Sequence, residues 1–559
     1  MPRLSGKRAL MEQLVADRVE YIFGNPGTTE QGFMDVLQDY PSLKFVLALH
    51  EGVAVAMADA YARLTRRPSF VELHIAPGLG NGLGMIHNAK VGQTPMVVYA
   101  GQSESEVLFQ EPHLSGPLVE MARPLTKWSY QIEHAHDVPQ AVRRAFKIAA
   151  DPPMGPVFLS MPMDVLDQEA EMDIRPTSYS AWRTRPDHGA IKAVAEMLLA
   201  AKQPMIMVGD RVALSEAHAE VVELAELLGA AIFQNYGSEF NAPYAHPLNL
   251  GQVSFNAGPR GIQATLKDCD ALLAVGAPLF QVIFPRPESP LPAGLKLAQI
   301  DLVGWEIGKN YPVDFGVIAD PKSALRDLIE LVKAGQGSAD RAAADARASA
   351  IGARTAQSRE QYRHGAQRGW NEAPITAPRL MHEIRQALPS NALVFAEAIT
   401  NQPHLLAALQ PGAPDEFLSG RGGGIGPGLP GSLGAALARP DRKVVGVCSD
   451  GAAMYSITAL WTAAHHNIPV TYVMLGNAAY RILKLNMVEY LGTGARDRKF
   501  VEMDLNDPPL RFDLLAQAMG VPARRVERPE DLAGALREGI AHDGPYLIDV
   551  AMESPVPIP

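Results

Sequence analysis

Cysteine is nearly absent: Cys269 and Cys448 are the only two in 559 residues. Both lie in apolar, strand-like contexts, which leaves no material for a disulfide framework. Positive charge is also in deficit, with 50 Lys and Arg against 61 Asp and Glu and a net charge of −11. That balance argues against a nucleic-acid surface. No apolar run approaches the ~18 residues that would suggest a membrane span. The N-terminal "MPRLSGKRALMEQLVADRVEYIF" reads as an amphipathic helix leading into a strand, without the apolar core and small-residue cleavage site of a signal peptide. With 47% hydrophobic and 20% charged residues, the composition is that of a globular chain with sizeable cores. The expectation is a cytoplasmic, multi-domain protein whose partners are neither nucleic acid nor membrane.

Short β-branched runs alternate with helical stretches along the chain. The strands expected in the first part lie in "VEYIFGN", "FVLALHE", "SFVELHIAPG", "PMVVYAG" and "GPVFLSMP". In the second they lie in "PMIMVGD", "AAIFQNY", "ALLAVGA" and "LKLAQID", and in the third they run from "ALVFAEA" to "PYLIDVAM". Such apolar runs separated by helices imply parallel sheets covered on both faces. A polar stretch at 174–189 and an Ala-, Arg- and Gln-rich stretch at 336–375 read as linkers, the second with a surface helix. The expected architecture is α/β, three tandem doubly wound domains at 1–173, 190–335 and 376–559.

The third domain carries the most informative pattern. In "VVGVCSDGAAMYSITALWTAAHHNIPVTYVMLGNAAY" one apolar run ends in Asp450-Gly451, a helix-like segment follows, and a second run ends in Gly476-Asn477. Ligands of parallel α/β sheets bind beyond the carboxyl ends of the strands, and a crossover of one helix makes these two ends neighbours. Alone, Asp450 reads as a helix cap and Asn477 as a turn residue. Together they read as hard oxygen ligands for Mg²⁺ or Ca²⁺, with a backbone carbonyl near Ala479 as a third and phosphate oxygens completing the shell. The Gly451-Ala452-Ala453 turn would present helix N–H groups to that phosphate.

The segment from Ser449 to Ala479 resembles the metal–diphosphate signature of thiamine-diphosphate enzymes, Gly-Asp-Gly followed by Asn-Asn, with Ser449 and Gly476 in place of its first Gly and first Asn. "YSITALWTAAHHNIPVTYV" is similar to the benzoylformate decarboxylase branch, within the acetolactate-synthase-like superfamily, and the likeness extends over nearly the whole chain. The resemblance implies thiamine diphosphate with Mg²⁺. It makes Glu51, in "KFVLALHEGVAVAMADAYARL", the carboxylate on the aminopyrimidine ring; alone, that residue reads as a helix-dipole partner. It makes Ile425, in "SGRGGGIGPGLPGSLGAAL", the apolar wedge under the bent cofactor, with the Gly423 carbonyl on the aminopyrimidine. Thr400 and Tyr480 join the cofactor contacts. It further implies a homodimer, commonly a homotetramer, because the family's cofactor lies between the first domain of one subunit and the third of its partner.

The same resemblance places Thr28, in "FGNPGTTE", on the substrate carboxylate and His74, in "VELHIAPG", in proton transfer, with His50 as a further candidate. The family's second histidine is replaced by Ile283, which neither donates nor accepts a proton. "VLFQEPHLSG" resembles instead the active-site loop of acetolactate-synthase-like carboligases, making Gln110 and His113 candidates for the missing polar function; both read equally as solvated loop residues. Ile482 and Leu483, with Ile283 and Phe284, suggest an apolar substrate pocket. No Gly-rich dinucleotide motif follows "MIMVGD", so functional FAD is not expected. The expected activity is decarboxylation of a 2-oxo acid, with carboligation of aldehydes to 2-hydroxyketones. The rivals are an acetolactate-synthase-like carboligase and a non-catalytic cofactor-binding homologue.

Overall fold

A computed structural model describes residues 2–234, 237–252, 258–280 and 289–557. Three six-stranded parallel sheets follow one another along the chain. In the first the spatial order is Lys44–Leu47, Tyr21–Asn25, Ser69–Leu73, Met96–Gln102, Pro156–Pro162, Ser129–Gln131. The second runs Asn249–Gln252, Ala231–Gln234, Pro204–Val208, Ala271–Val275, Lys296–Asp301, Phe315–Ile318. The third runs Phe417–Ser419, Ala392–Glu397, Lys443–Ser449, Val470–Gly476, Tyr546–Ala551, Ala523–Val526. A small antiparallel pair, Arg3–Ser5 with Glu169–Glu171, ties the two ends of the first unit together.

The central strands are apolar and buried along their length, as strands covered on both faces must be. The strands that the patterning did not announce are Ser129–Gln131, Asn249–Gln252, Phe315–Ile318, Phe417–Ser419 and Ala523–Val526. Every one of them is a sheet edge. They are short, and most keep a solvent-facing or partly covered residue.

The first and third units share one apolar core. It runs from Val53 and Met57 on the helix Glu51–Thr65 to Leu429 and Leu433 on the helix Gly428–Ala438. The two helices approach so closely that a Cβ at Gly434 would lie 2.0 Å from the Met57 carbonyl oxygen. The middle unit has its own core. All three meet at Glu239, which pairs with Arg63 at 3.3 Å and Arg66 at 3.0 Å, with Arg421 at 3.7 Å. Burial pushes the Glu239 carboxyl up, but the three guanidinium groups outweigh it and bring the pKa down to about 2. The helix Ser338–Ala366 links the second and third units and buries only Ala344, Ile351 and Thr355. Among the described residues no helix is long and apolar enough to cross a membrane.

Candidate active site

Asp450 follows the strand Lys443–Ser449 directly, and Asn477 follows the adjacent parallel strand Val470–Gly476. The two strand ends expected to be neighbours are neighbours. Asp450 is 3% exposed. Its carboxylate accepts the Gly451 N–H at 2.8 Å and the Ala478 N–H at 2.7 Å. Among the described residues it pairs with no cationic side chain, and burial pushes its pKa up to about 6, partly offset by these N–H groups. Asn477, also buried, accepts the Ala479 N–H through its side-chain oxygen at 3.1 Å. Between them Ala478 is left-handed at φ +53°, a conformation that costs a non-glycine residue roughly 1–2 kcal/mol.

A buried carboxylate and an amide oxygen on adjacent strand ends, with no cation of the protein's own, fit a hard divalent ion. Among the described residues no three His, Cys, Asp or Glu side chains converge on one point. A metal held here would therefore draw most of its remaining ligands from phosphate and water. The single helix expected after Asp450 is broken into Asp450–Ala453, a 3₁₀ turn at Met454–Ser456, and Ala459–His465. Gly451, Ala452 and Ala453 therefore sit in one helical turn, and Tyr480 closes over it: a Cβ on Gly451 would lie 2.5 Å from the Tyr480 ring.

The glycine loop lies beside this turn. Gly422, Gly423 and Gly426 have φ of +86°, +94° and +109°, which excludes most other residues. A Cβ on Gly423 would meet nothing within 4 Å, so this backbone is open to a ligand. Asn88, from the first domain, clamps the loop by donating to the Gly424 carbonyl and accepting the Gly424 N–H, both at 2.8 Å. Glu397 receives the Gly426 and Gly428 N–H groups, each at 2.7 Å, and burial raises its pKa to about 7. Gly423, Ile425, Thr400, Ile482 and Leu483 line one cavity of about 1200 Å³, with Glu397 in its wall.

In the first domain Glu51 opens the helix Glu51–Thr65, 6% exposed, and its Oε2 accepts from Asn81 at 3.0 Å. His50 caps that helix through Nδ1, which accepts the Gly52 N–H at 3.0 Å. His74 sits at the end of the strand Ser69–Leu73, with its Nδ1 2.8 Å from Glu30 Oε2. Glu30 also receives the Gly27 N–H at 3.0 Å, the Gly101 N–H at 2.9 Å and the Thr29 hydroxyl at 2.7 Å. With donors on both oxygens Glu30 serves as the acceptor, so His74 donates from Nδ1 and its Nε2 is left for other work. Ile75, directly after His74, is held at φ +40°, a genuine outlier for a β-branched side chain. Thr28 is exposed at the start of this turn.

Gln110 and His113 are both exposed, on the loop that displays Phe109 at 98% exposure. Neither they nor Glu51, Thr28 and His74 line the cavity that holds Ile425 and Leu483. Asp450, Asn477, Ala479, Tyr480 and the turn Gly451–Ala453 also lie outside its lining. Ile283 and Phe284 lie outside the described residues. Sequence reasoning missed Glu30, Asn88 and Glu397. Glu30 could have been noticed as an acid in the same turn as Thr28; for the other two the signal is only tertiary. It also missed Glu72, whose two buried oxygens have no hydrogen-bond partner and whose pKa is pushed well above the carboxylate range, by burial first and then by Glu30 and Glu51.

Known proteins give the following matches. Residues 4–113 match the family description "Thiamine pyrophosphate enzyme, N-terminal TPP binding domain", 191–328 its central domain and 402–550 its C-terminal TPP binding domain. A benzoylformate decarboxylase of Pseudomonas aeruginosa is 31% identical over 547 residues, covering 95% of this chain and 96% of that protein. A putative acetolactate synthase large subunit of Mycobacterium tuberculosis, IlvX, is also 31% identical, covering 99% of each. Among solved structures, the thiamine diphosphate-dependent 4-hydroxybenzoylformate decarboxylase of Rhodococcus jostii superposes with a TM-score of 0.85 at 29% identity, over 99% of this chain and 100% of that one.

Proposed function

The chain belongs to the thiamine pyrophosphate enzymes, and from that premise we propose that it decarboxylates a 2-oxo acid in the manner of a benzoylformate decarboxylase, using Mg²⁺. The observation that carries the metal and diphosphate assignment is the pairing of Asp450 with Asn477 on adjacent strand ends beside an open glycine loop. The likeness to two aryl 2-oxo acid decarboxylases supports the choice of reaction.

In this reading Asp450 and Asn477, with the Ala479 carbonyl, hold the cation, and the buried carboxylate loses its tendency to protonate once a divalent charge faces it. The turn Gly451–Ala453 and Tyr480 would hold the diphosphate, while Gly423, Ile425 and Thr400 would receive the ring system. Bound thiamine diphosphate supplies the electron sink that lets CO₂ leave a 2-oxo acid. Glu51 would face a ring nitrogen of the bound cofactor and hold a proton between them. Thr28 offers its hydroxyl to the substrate carboxylate. His74, fixed by Glu30 through Nδ1, takes up or gives back a proton at Nε2. Ile482 and Leu483 form an apolar wall, where one methylene more or less discriminates by about 1–3 kcal/mol.

In this reading a second copy of the chain brings its first domain, with Glu51 and His74, to the cavity lined by Ile425 and Leu483, which the same chain's Glu51 and His74 do not line. A homodimer is the least assembly this reading requires. A second reading, carboligation of the acetolactate-synthase type, is favoured by the exposed Phe109-Gln110 loop and by the second relative.

The test is incubation with Mg²⁺ and thiamine diphosphate, giving benzoylformate or pyruvate, each with and without benzaldehyde. Free aldehyde from benzoylformate is the expected product. Hydroxyketone with little free aldehyde would select the carboligase, and no CO₂ from either acid would count against both.

A further inference from the structure

The strand Lys44–Leu47 is an edge of the first sheet, pairing among the described residues only with Tyr21–Asn25. Its backbone groups alternate in direction. The Ala48 N–H turns inward to the Gly24 carbonyl at 2.9 Å, so those of Leu47 turn outward. Outward groups on an edge strand ordinarily go to water or to another strand. Here both go to side chains of the third domain. The Leu47 N–H donates to His466 Nε2 at 2.9 Å, and its carbonyl accepts from the Thr462 hydroxyl at 3.1 Å.

Thr462 and His466 are four residues apart, on the helix Ala459–His465 and its C-cap, and therefore on one face. Thr462 is fully buried. His466 accepts a hydrogen bond and so acts as a neutral imidazole; burial, then the neighbouring His465 with ring centroids 4.6 Å apart, hold its pKa down. From Leu47 the chain passes through Ala48, Leu49 and the capping His50 straight into Glu51. The clamp thus fixes the last peptide before the turn that presents the carboxylate, and it does so from the segment that begins at Asp450.

We propose that Thr462 and His466 are positioning residues for Glu51, holding its turn through the Leu47 peptide. This rests on the reading of Glu51 as the carboxylate that meets the cofactor ring. Leu47, Thr462 and His466 do not line the cavity, so the clamp bears on how Glu51 is aimed and not on substrate binding.

The experiment compares His466→Leu, which removes the acceptor, with His466→Gln, which keeps an amide oxygen in reach. Amide hydrogen exchange is read in the full chain without cofactor, and steady-state rates with Mg²⁺ and thiamine diphosphate. In His466→Leu, exchange at Leu47 and Gly52 rises by about tenfold, the worth of one hydrogen bond, while Met57–Tyr61 in the same helix is unchanged. In the loaded enzyme kcat falls by about tenfold at constant KM, and His466→Gln restores most of both. Unchanged exchange at Leu47 and Gly52, or a uniform rise across the first domain, overturns the proposal. So does an unchanged kcat in a variant whose exchange has risen. If the wild type turns over no 2-oxo acid, the proposed function falls and the exchange arm alone still decides whether the clamp holds the turn.

Discussion

In the first domain two carboxylates near the strand ends are tied to side chains, Glu30 to His74 and Thr29 and Glu51 to Asn81, while Glu72 has no hydrogen-bond partner among the described residues. In the third domain Asp450 and Glu397 meet only backbone N–H groups, and burial raises them to about 6 and about 7. Those two acids are buried at a cost that the chain itself does not offset with a cation. The contrast assigns different work to the two halves. On the proposed reading Glu30 and Glu51 hold groups that are already positioned, and Asp450 carries an electrostatic deficit that a bound cation would relieve. On that reading metal affinity and the stability of the third domain are linked.

The sharpest way to break this contrast is Glu51→Gln. If Glu51 is an aiming group, activity falls by roughly 10²–10⁴-fold while thiamine diphosphate affinity, followed by fluorescence titration, changes only a few-fold. A large loss of affinity with little loss of turnover would reverse the roles of the two halves. Next is Asp450→Ala. Ligand at about 100 times Kd stabilises the wild type by about 2.7 kcal/mol, seen as a rise in melting midpoint with Mg²⁺ and thiamine diphosphate together. That rise disappears in the variant. Should it persist, Asp450 is a helix cap and not a ligand.

A smaller effect is expected for Glu30→Gln, which leaves His74 its place but weakens the acceptor at Nδ1. A fall in kcat of about 10–100-fold, with a shifted pH–rate profile, is the expected result; an unchanged profile removes Glu30 from proton management. The last test concerns Glu397 and is read on the stability of the cofactor-free protein, not on turnover. Its folded pKa, about 7, stands above the unfolded value of 4.5. The native state therefore keeps a proton that the unfolded chain releases. The resulting stability is full below pH 4.5 and is lost as pH rises through about 7, on the order of 3 kcal/mol in all. Denaturation of the cofactor-free protein between pH 4.5 and 8 should show that slope flattened in Glu397→Gln. An equal slope in both would mean that Glu397 is not the group responsible.

How much could be read in advance differs by the same physical rule throughout. Central strands such as Met96–Gln102 and Lys443–Ser449 are buried on both faces, so they must be continuous apolar runs and they announce themselves. Edge strands such as Asn249–Gln252 and Ala523–Val526 are half covered, and their sequences, "NLGQ" and "ARRV", carry no such constraint. The site divides likewise. Asp450 and Asn477 were legible because each ends an apolar run and one helix separates them. Glu397 and Asn88 were not, because their meaning lies in the N–H groups of a loop distant in sequence.

The sequence by itself determined the three parallel sheets, the family, and the neighbouring strand ends that carry Asp450 and Asn477, because burial periodicity and strand-end residues are local properties. Only the tertiary structure decided that Glu30 fixes His74, that Asn88 clamps the glycine loop, and that Leu47 is held from another domain. It also separated Glu51 from the cavity of Ile425. Each of these depends on contacts between residues far apart in the chain, and no local pattern of residues encodes such a distance.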